Sequence, residues 1–160
     1  NPQSPIPNPQ FITKKSSILW MPVYFGIYFV ASTSVQMLLQ FLPGYDASQN
    51  QDVGFTGVAG ASIALVFIAL VILPPLGEEV IFRGILYTGL KSRLNKFIAA
   101  LIASFLFGLA HAQWNVGADT FVLSLVAIYS YEKHKTLWLP ISLHAAKNLV
   151  AFLALFVFKV

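Results

Sequence analysis

Two adjacent glutamates, Glu78 and Glu79, stand in a strongly apolar part of this chain. A charged group at the centre of a bilayer costs at least ~2.5–3.5 kcal/mol, so such groups usually pair or face a cavity. Glu79 and Arg83 are four residues apart, the spacing of an ion pair within one helix. Glu78 projects about 100° away from Glu79 and is expected to be unpaired and available as a general base.

Two further pairs with the same four-residue spacing lie on other apolar segments. Phe107 precedes His111, and His144 precedes Asn148. A carboxylate with an imidazole can activate water, while a second imidazole with an amide can donate hydrogen bonds to a developing oxyanion. The chain has no cysteine, and no serine lies in a recognisable nucleophile motif. These residue types favour attack of water on a carbonyl, most simply that of a peptide bond.

The composition is that of a membrane protein. Of the 160 residues, 57% are hydrophobic and only 10% are charged, whereas a soluble domain carries roughly 25% charged residues. The net charge of +4 comes from scattered basic residues at the ends of apolar segments, which is not the pattern of a nucleic-acid-binding protein. The length allows one compact helical domain.

Five apolar stretches predict the fold, because a helix needs about 20 apolar residues to cross a bilayer. They are Ile18–Leu42, Val58–Leu90 with a stop or kink at Pro74-Pro75, Phe97–Ala110, Val116–Tyr131 and Leu137–Phe158. The predicted fold is all-α, a polytopic transmembrane bundle of about five spans with a polar intramembrane cavity. We expect a flexible polar, proline-rich tail over 1–16, a transmembrane helix and external loop over 17–56, and a helical core over 57–160.

Basic residues predict how these spans are oriented. Lys14-Lys15, Lys91–Lys96 and Lys133–Lys135 alternate along the chain with two cation-free connections, Pro43–Asp52 and Gln113–Asp119. The positive-inside rule then places the amino terminus and the basic connections in the cytoplasm. His134 lies within the charged stretch Glu132–Lys135 and is expected to be solvated.

The candidate residues are predicted to reach a similar depth in the membrane. Measured from the nearest basic connection, Glu78, His111 and His144 lie about 20, 22 and 14 Å away along their helices, at ~1.5 Å per residue. Three segments therefore deliver polar groups to one level, which predicts a single shared site. Lys147, three residues after His144, should snorkel or pair, and the sequence gives it no role.

Three motifs, in this order, resemble those of the CPBP family. That family unites type II CAAX prenyl endopeptidases with bacterial bacteriocin-processing and immunity (Abi) proteins. Residues Glu78–Arg83 are similar to its EExxxR motif, Phe107–His111 to FxxxH, and His144–Asn148 to HxxxN. The resemblance covers roughly Val58–Phe158 and implies an intramembrane endopeptidase with a conical cavity open toward the cytoplasm.

The resemblance also implies roles for these residues. Glu78 would activate water with the help of His111. His144 and Asn148 would stabilise the oxyanion. Glu79 would hold Arg83 as an organiser of the site, and Phe107 would form an apolar wall.

A zinc site is the alternative for the same residues. Glu78, His111 and His144 could form a His₂Glu set of ligands. However, the chain contains no H-E-x-x-H helix, and a metal-free glutamate mechanism makes more natural use of Asn148. The sequence therefore favours no cofactor.

The predicted substrate is a membrane-associated peptide or the tail of a lipid-anchored protein. A short chain without cysteine or organelle signals looks prokaryotic, which favours the plasma membrane and leader-peptide or bacteriocin maturation over prenylated tails. The alternative is a non-catalytic immunity or peptide-binding protein of the same fold. A proton-coupled transporter is disfavoured because no inverted repeat is evident.

Overall fold

Five helices form the fold in the computed structural model, which describes residues 15–49 and 62–158. They are α1 (Met21–Leu39), α2 (Ile63–Lys91), α3 (Lys96–Leu109), α4 (Trp114–His134) and α5 (Trp138–Phe158), preceded by one helical turn at Lys15–Ile18. The predicted all-α fold is confirmed. Residues 1–14 of the expected tail and 50–61 around the end of the expected loop lie outside the described residues.

Three of the helices, α1, α2 and α5, are long and apolar enough to cross a membrane, which supports an integral membrane protein. Helix α3 has 14 residues, about 21 Å of helix, which is shorter than the ~30 Å hydrocarbon core. Helix α4 has 21 residues but is not apolar enough to qualify. Five helices are therefore present, while length and composition alone support three of the five predicted crossings.

Helix α4 is the central helix of the bundle, which explains its low hydropathy. Helices α1, α3 and α5 all pack against it, and its Thr120, Ser124 and Ser130 are completely buried. Thr120 donates a hydrogen bond to the carbonyl of Val116, and Ser130 donates one to the carbonyl of Ala127. A helix that other helices shield from lipid can carry polar side chains on its inward faces.

The start of α4 corrects one prediction. The helix begins at Trp114, so the expected Gln113–Asp119 connection is wrong from Trp114 onward. The turn between α3 and α4 is only four residues long, 110–113, and Ala112 adopts the left-handed backbone conformation there, with φ of 53°. Asp119 consequently lies inside the second turn of a helix instead of in an exposed connection.

Helix α2 runs without a break through Pro74 and Pro75, so the prolines do not stop it. Its backbone winds as a π-helix at Ile68–Ile72, just before the prolines, and again at Val80–Tyr87, just after Glu79. Turns of this kind are rare and often occur at functional sites. Proline has no N–H, so the prolines also deprive carbonyls one turn earlier of their usual partners.

The two basic connections meet at one end of the bundle, and the cation-free segments meet at the other end, as the positive-inside argument requires. Glu132 forms ion pairs with both Lys91 and Lys135, and these contacts join the two basic connections. At the opposite end of α4, the Asn115 amide donates a hydrogen bond of 2.8 Å to the carbonyl of Gln49. That bond joins the cation-free connection after α1 to the first turn of α4.

His134 is partly exposed, and it also packs at the junction of α1 and α4, so it is less solvated than predicted. Its Nε2 lies 3.0 Å from the hydroxyl of Tyr24. Its ring meets that of Tyr24 edge-on, with 5.7 Å between centroids. This contact fastens the start of α1 to the end of α4.

A pair of glycines lets α3 and α4 touch. A Cβ atom on Gly108 would lie 2.7 Å from the carbonyl oxygen of Gly117, and one on Gly117 would lie 3.0 Å from the carbonyl oxygen of Gly108. Small residues allow membrane helices to approach this closely. The crossing fixes the position of the turn that follows α3 and carries His111.

We expect Gly108→Ala to destabilise the protein, because the added methyl group forces α3 and α4 apart, and overpacking typically costs ~1–3 kcal/mol. Gly89→Ala is the matched control, since nothing lies within 4 Å of a Cβ atom at Gly89 in α2. Alanine there should be neutral or stabilising by about 0.5–1 kcal/mol. Unfolding of the purified protein by SDS in detergent, followed by tryptophan fluorescence, measures both effects. Equal unfolding midpoints for the two variants would contradict the crossing.

Candidate active site

Glu79 and Arg83 form the ion pair that their spacing predicts. Nη1 of Arg83 lies 2.9 Å from Oε1 of Glu79, and both side chains are 0% exposed. The contact is electrostatic, since no guanidinium N–H has a well-aligned acceptor in the described part of the chain. Instead the guanidinium lies over the ring of Phe107, 4.4 Å from its centroid. A buried cation is thus balanced by one carboxylate and one aromatic face.

Glu79 also holds His144, a contact that spacing within α2 could not reveal. Nδ1 of the buried His144 lies 3.0 Å from Oε1 of Glu79, the oxygen that Arg83 also contacts. A carboxylate can only accept a hydrogen bond, so this bond places a hydrogen on Nδ1 and leaves Nε2 for another partner. One oxygen of Glu79 therefore orients a cation of α2 and an imidazole of α5.

Glu78 is the unpaired glutamate, as predicted. Its Oε2 atom has no hydrogen-bond partner among residues 15–49 and 62–158, although the side chain is 34% exposed. The nearest charged or titratable partner is His144, whose Nε2 lies 3.9 Å from Oε2. That distance is too long for a hydrogen bond, and Oε2 itself is buried although the rest of the side chain is partly exposed.

His111 is held by the end of α3. Its Nδ1 donates a hydrogen bond of 2.8 Å to the carbonyl of Phe107, which leaves Nε2 for another partner. The buried ring of Phe107 lies 5.0 Å from the ring of His111 and 5.6 Å from the ring of His144. Glu78, His144 and Lys147 all act electrostatically on His111. The structure thus gathers these groups from α2, α3 and α5 into one neighbourhood.

Asn148 ties α5 to α2. Its Nδ2 donates a hydrogen bond of 2.9 Å to the carbonyl of Leu70. That carbonyl lies four residues before Pro74 and five before Pro75, so neither an α-helical nor a π-helical N–H is available to it. The second amide hydrogen of Asn148 is left over, and its use at an oxyanion stays a prediction.

The three candidate zinc ligands do not form a metal site. Across 15–49 and 62–158, no three His, Cys, Asp or Glu side chains are arranged so that they could hold a metal ion. Nδ1 of His111 and Nδ1 of His144 are both engaged by the protein, which would leave Nε2 of each ring for a metal. In the described residues, however, Glu78, His111 and His144 are not grouped closely enough to form a His₂Glu zinc centre.

Lys147 has a partner that the sequence reasoning missed. Its Nζ lies 3.5 Å from Oδ2 of Asp119 on α4. The hydroxyls of Tyr28 and Ser32 on α1 donate to Oδ1 of the same carboxylate. Two features of the sequence could have indicated this contact. The polar residues Tyr28 and Ser32 stand four residues apart on α1, and the acidic residue Asp119 lies near the start of α4.

The fold and the site together define a helical membrane protein with a carboxylate–imidazole centre. The chain belongs to the family described as type II CAAX prenyl endopeptidase Rce1-like, whose sequence model matches residues 60–150, more than half of the chain. The family resemblance carried by the three motifs is thereby confirmed. Helix α1 lies outside the matched residues.

Two curated bacterial proteins are similar to this chain. "Putative membrane peptidase YdiL" of Bacillus subtilis (strain 168) is 28% identical over 132 residues, which cover 82% of this chain and 54% of that protein. "Uncharacterized 24.3 kDa protein" of Escherichia coli is 34% identical over 87 residues, which cover 51% of this chain and 40% of that protein. The matches thus span about half the length of these relatives or less. No solved structure matches the chain significantly.

We expect Glu79→Gln to be strongly destabilising, because it leaves Arg83 as a buried cation without a counter-ion, a change that typically costs ~3–5 kcal/mol. The double variant Glu79→Gln/Arg83→Met removes both charges and should recover much of that loss. Glu132→Gln, in the more exposed pair at the basic end, is the control and should have little effect. SDS unfolding compares all three. Additive losses in the double variant would show that the two charges are not coupled.

Proposed function

We propose that this chain is an intramembrane endopeptidase that hydrolyses a peptide bond with water activated by Glu78. Membership of the endopeptidase family supports the reaction class. One observation carries the proposal. Oε2 of Glu78 lies 3.9 Å from Nε2 of His144 and has no hydrogen-bond partner among the described residues. A water admitted between these two atoms would meet a base and the imidazole of His144.

The reaction needs one proton acceptor that later returns its proton. Oε2 of Glu78 would take a proton from the water while the oxygen attacks the carbonyl carbon of the substrate. The carbonyl oxygen becomes an oxyanion, and the proton on Glu78 then passes to the amide nitrogen as the C–N bond breaks. The Glu78 side chain is 34% exposed while its Oε2 atom is buried, so the carboxylate would have to turn to present that oxygen to water and substrate.

The neighbouring groups would orient the water and stabilise the oxyanion. His111 presents Nε2, because Nδ1 is engaged by the Phe107 carbonyl, and would assist Glu78. His144 presents Nε2 because Glu79 engages Nδ1, and in the imidazolium form this nitrogen is a donor for the oxyanion. The remaining amide hydrogen of Asn148 would be a second donor.

The substrate class follows from where the site lies. Glu78 belongs to α2, which is long and apolar enough to cross a membrane, so a substrate must reach it from lipid or from the membrane surface. A membrane-associated peptide or the tail of a lipid-anchored protein meets this requirement. Both curated relatives are bacterial, which supports a prokaryotic plasma membrane, with the basic end of the bundle in the cytoplasm.

We expect Glu78→Gln to lower the cleavage rate by about 10²–10⁴-fold, because an amide cannot accept the proton of water. His111→Ala and His144→Ala should also abolish most activity. His134→Ala is the matched control, since it removes the remaining histidine from a junction away from the site. Purified protein in nanodiscs and a library of membrane-anchored peptides, read by mass spectrometry, provide the assay.

Two outcomes would reject this proposal. Cleavage that persists in Glu78→Gln would remove Glu78 as the base. Peptide binding by the wild-type chain without cleavage would instead favour the non-catalytic peptide-binding protein.

We expect a metal chelator to leave the cleavage rate unchanged, because Glu78, His111 and His144 are not grouped as a zinc site in the described residues. The wild-type chain would be assayed with and without 1,10-phenanthroline, and a known zinc protease treated in parallel is the control. Loss of cleavage that added zinc restores would contradict this expectation.

A further inference from the structure

A second polar cluster lies beside the candidate active site and joins three helices. On α4, Oδ1 of Asp119 accepts hydrogen bonds from the hydroxyls of Tyr28 at 2.7 Å and Ser32 at 2.5 Å, both on α1. Oδ2 of the same carboxylate lies 3.5 Å from Nζ of Lys147 on α5. The charged side chains are mostly buried, at 18% and 16% exposure. We call these four residues the Asp119 cluster.

The Asp119 cluster is connected to the site through α5. Lys147 is the neighbour of Asn148 and lies three residues, just under one turn, after His144. The charge of Lys147 also acts on His111. A shift or rotation of α5 at Lys147 must therefore also move the two site residues on this helix, His144 and Asn148.

A line of polar residues on α1 contacts α4 and fixes how the two helices are aligned, and the Asp119 cluster is part of this line. Tyr28, Ser32 and Gln36 follow one another at four-residue intervals and so share one face of α1. One turn further along this face, Nε2 of Gln36 donates a hydrogen bond of 3.0 Å to the carbonyl of Asn115 on α4. A polar seam of this kind fixes two membrane helices against sliding, because lipid offers its groups no other partners.

Charge balance explains why Lys147 belongs to this seam. A lysine inside a helical bundle needs a counter-ion, and Glu79 is already committed to Arg83 and His144. The two hydroxyls from α1 satisfy Oδ1 of Asp119, which leaves Oδ2 facing the ammonium group. Two of the four members of the cluster thus come from α1, the helix outside the family match at 60–150.

We propose that the Asp119–Lys147 pair, held by Tyr28 and Ser32, is a positioning element that sets the height of α5 so that His144 keeps Nε2 toward Glu78. Helix α1 is then part of the working site through its two hydroxyls. The effect on catalysis rests on the proposed function. The effect on the position of His144 does not, so it can be tested by itself.

Histidine NMR tests this positioning role without any need for activity. The chain has three histidines, so a spectrum of the ¹⁵N-histidine-labelled protein in micelles resolves each imidazole. We expect Lys147→Met to shift the resonances of His144 and His111 and to leave those of His134 in place. Lys147→Arg, which keeps the charge, should restore the wild-type spectrum.

Two further variants control for unfolding and for a general loss of charge. Lys135→Met removes an exposed lysine, 58% exposed and paired with Glu132 at the basic end, and should disturb at most the adjacent His134. Asp119→Asn keeps the shape of the side chain and should reproduce the shifts of Lys147→Met. If Lys147→Met fails to fold, Asp119→Asn decides the question. Unchanged His144 resonances in the folded variants would overturn the proposal.

A second test measures kcat and KM of the variants with a library peptide that the wild-type chain cleaves. We expect Lys147→Met to lower kcat by about 10–100-fold with little change in KM, as a misplaced catalytic group does, and Lys147→Arg to recover it. A rise in KM alone would overturn the proposal, because it would make Lys147 a substrate-binding residue. If the wild-type chain cleaves no peptide, the proposed function fails, and the NMR result still decides the positioning role.

Discussion

A single buried oxygen, Oε1 of Glu79, is the point on which the site is built. It neutralises Arg83 and orients His144, and both partners are sealed from water. Buried charges are stable only when each has its partner, because an unpaired charge is destabilised by the full free-energy cost of removing it from water. Arg83 in turn lies over Phe107, whose ring contacts both His111 and His144. The helices α2, α3 and α5 are thereby fixed relative to one another.

The backbone contributes as much as the side chains. The prolines of α2 leave the Leu70 carbonyl without a helical partner, and Asn148 supplies one from α5. Glycines at the crossing of α3 and α4 bring the His111 turn close to the central helix. Together with the Asp119 cluster, these features hold α5 through the adjacent residues Lys147 and Asn148, one turn after His144.

Spacing within a helix revealed the contacts that a helix determines by itself. It gave the Glu79–Arg83 pair, the unpaired Glu78 and the shared neighbourhood of the three motifs. It could not give the bond between Glu79 and His144, which are 65 residues apart and meet only through the rotation and depth of two helices. Asp119 was missed because the sequence pattern places it in a connection. The low hydropathy of α4 was not expected, because which of its faces are covered by protein depends on how the other helices pack against it.

The polarity of α4 bears on how this protein enters its membrane. As an isolated segment, a helix with Asp119 in its second turn carries an insertion penalty for that residue, which is at most that of a centrally placed Asp, about 2.5–3.5 kcal/mol. Tyr28 and Ser32, whose hydroxyls donate to Asp119 in the folded protein, precede α4 in the chain and are synthesised first. Lys147 arrives last, on α5. The order of synthesis therefore presents hydrogen-bond donors before the acidic segment that needs them.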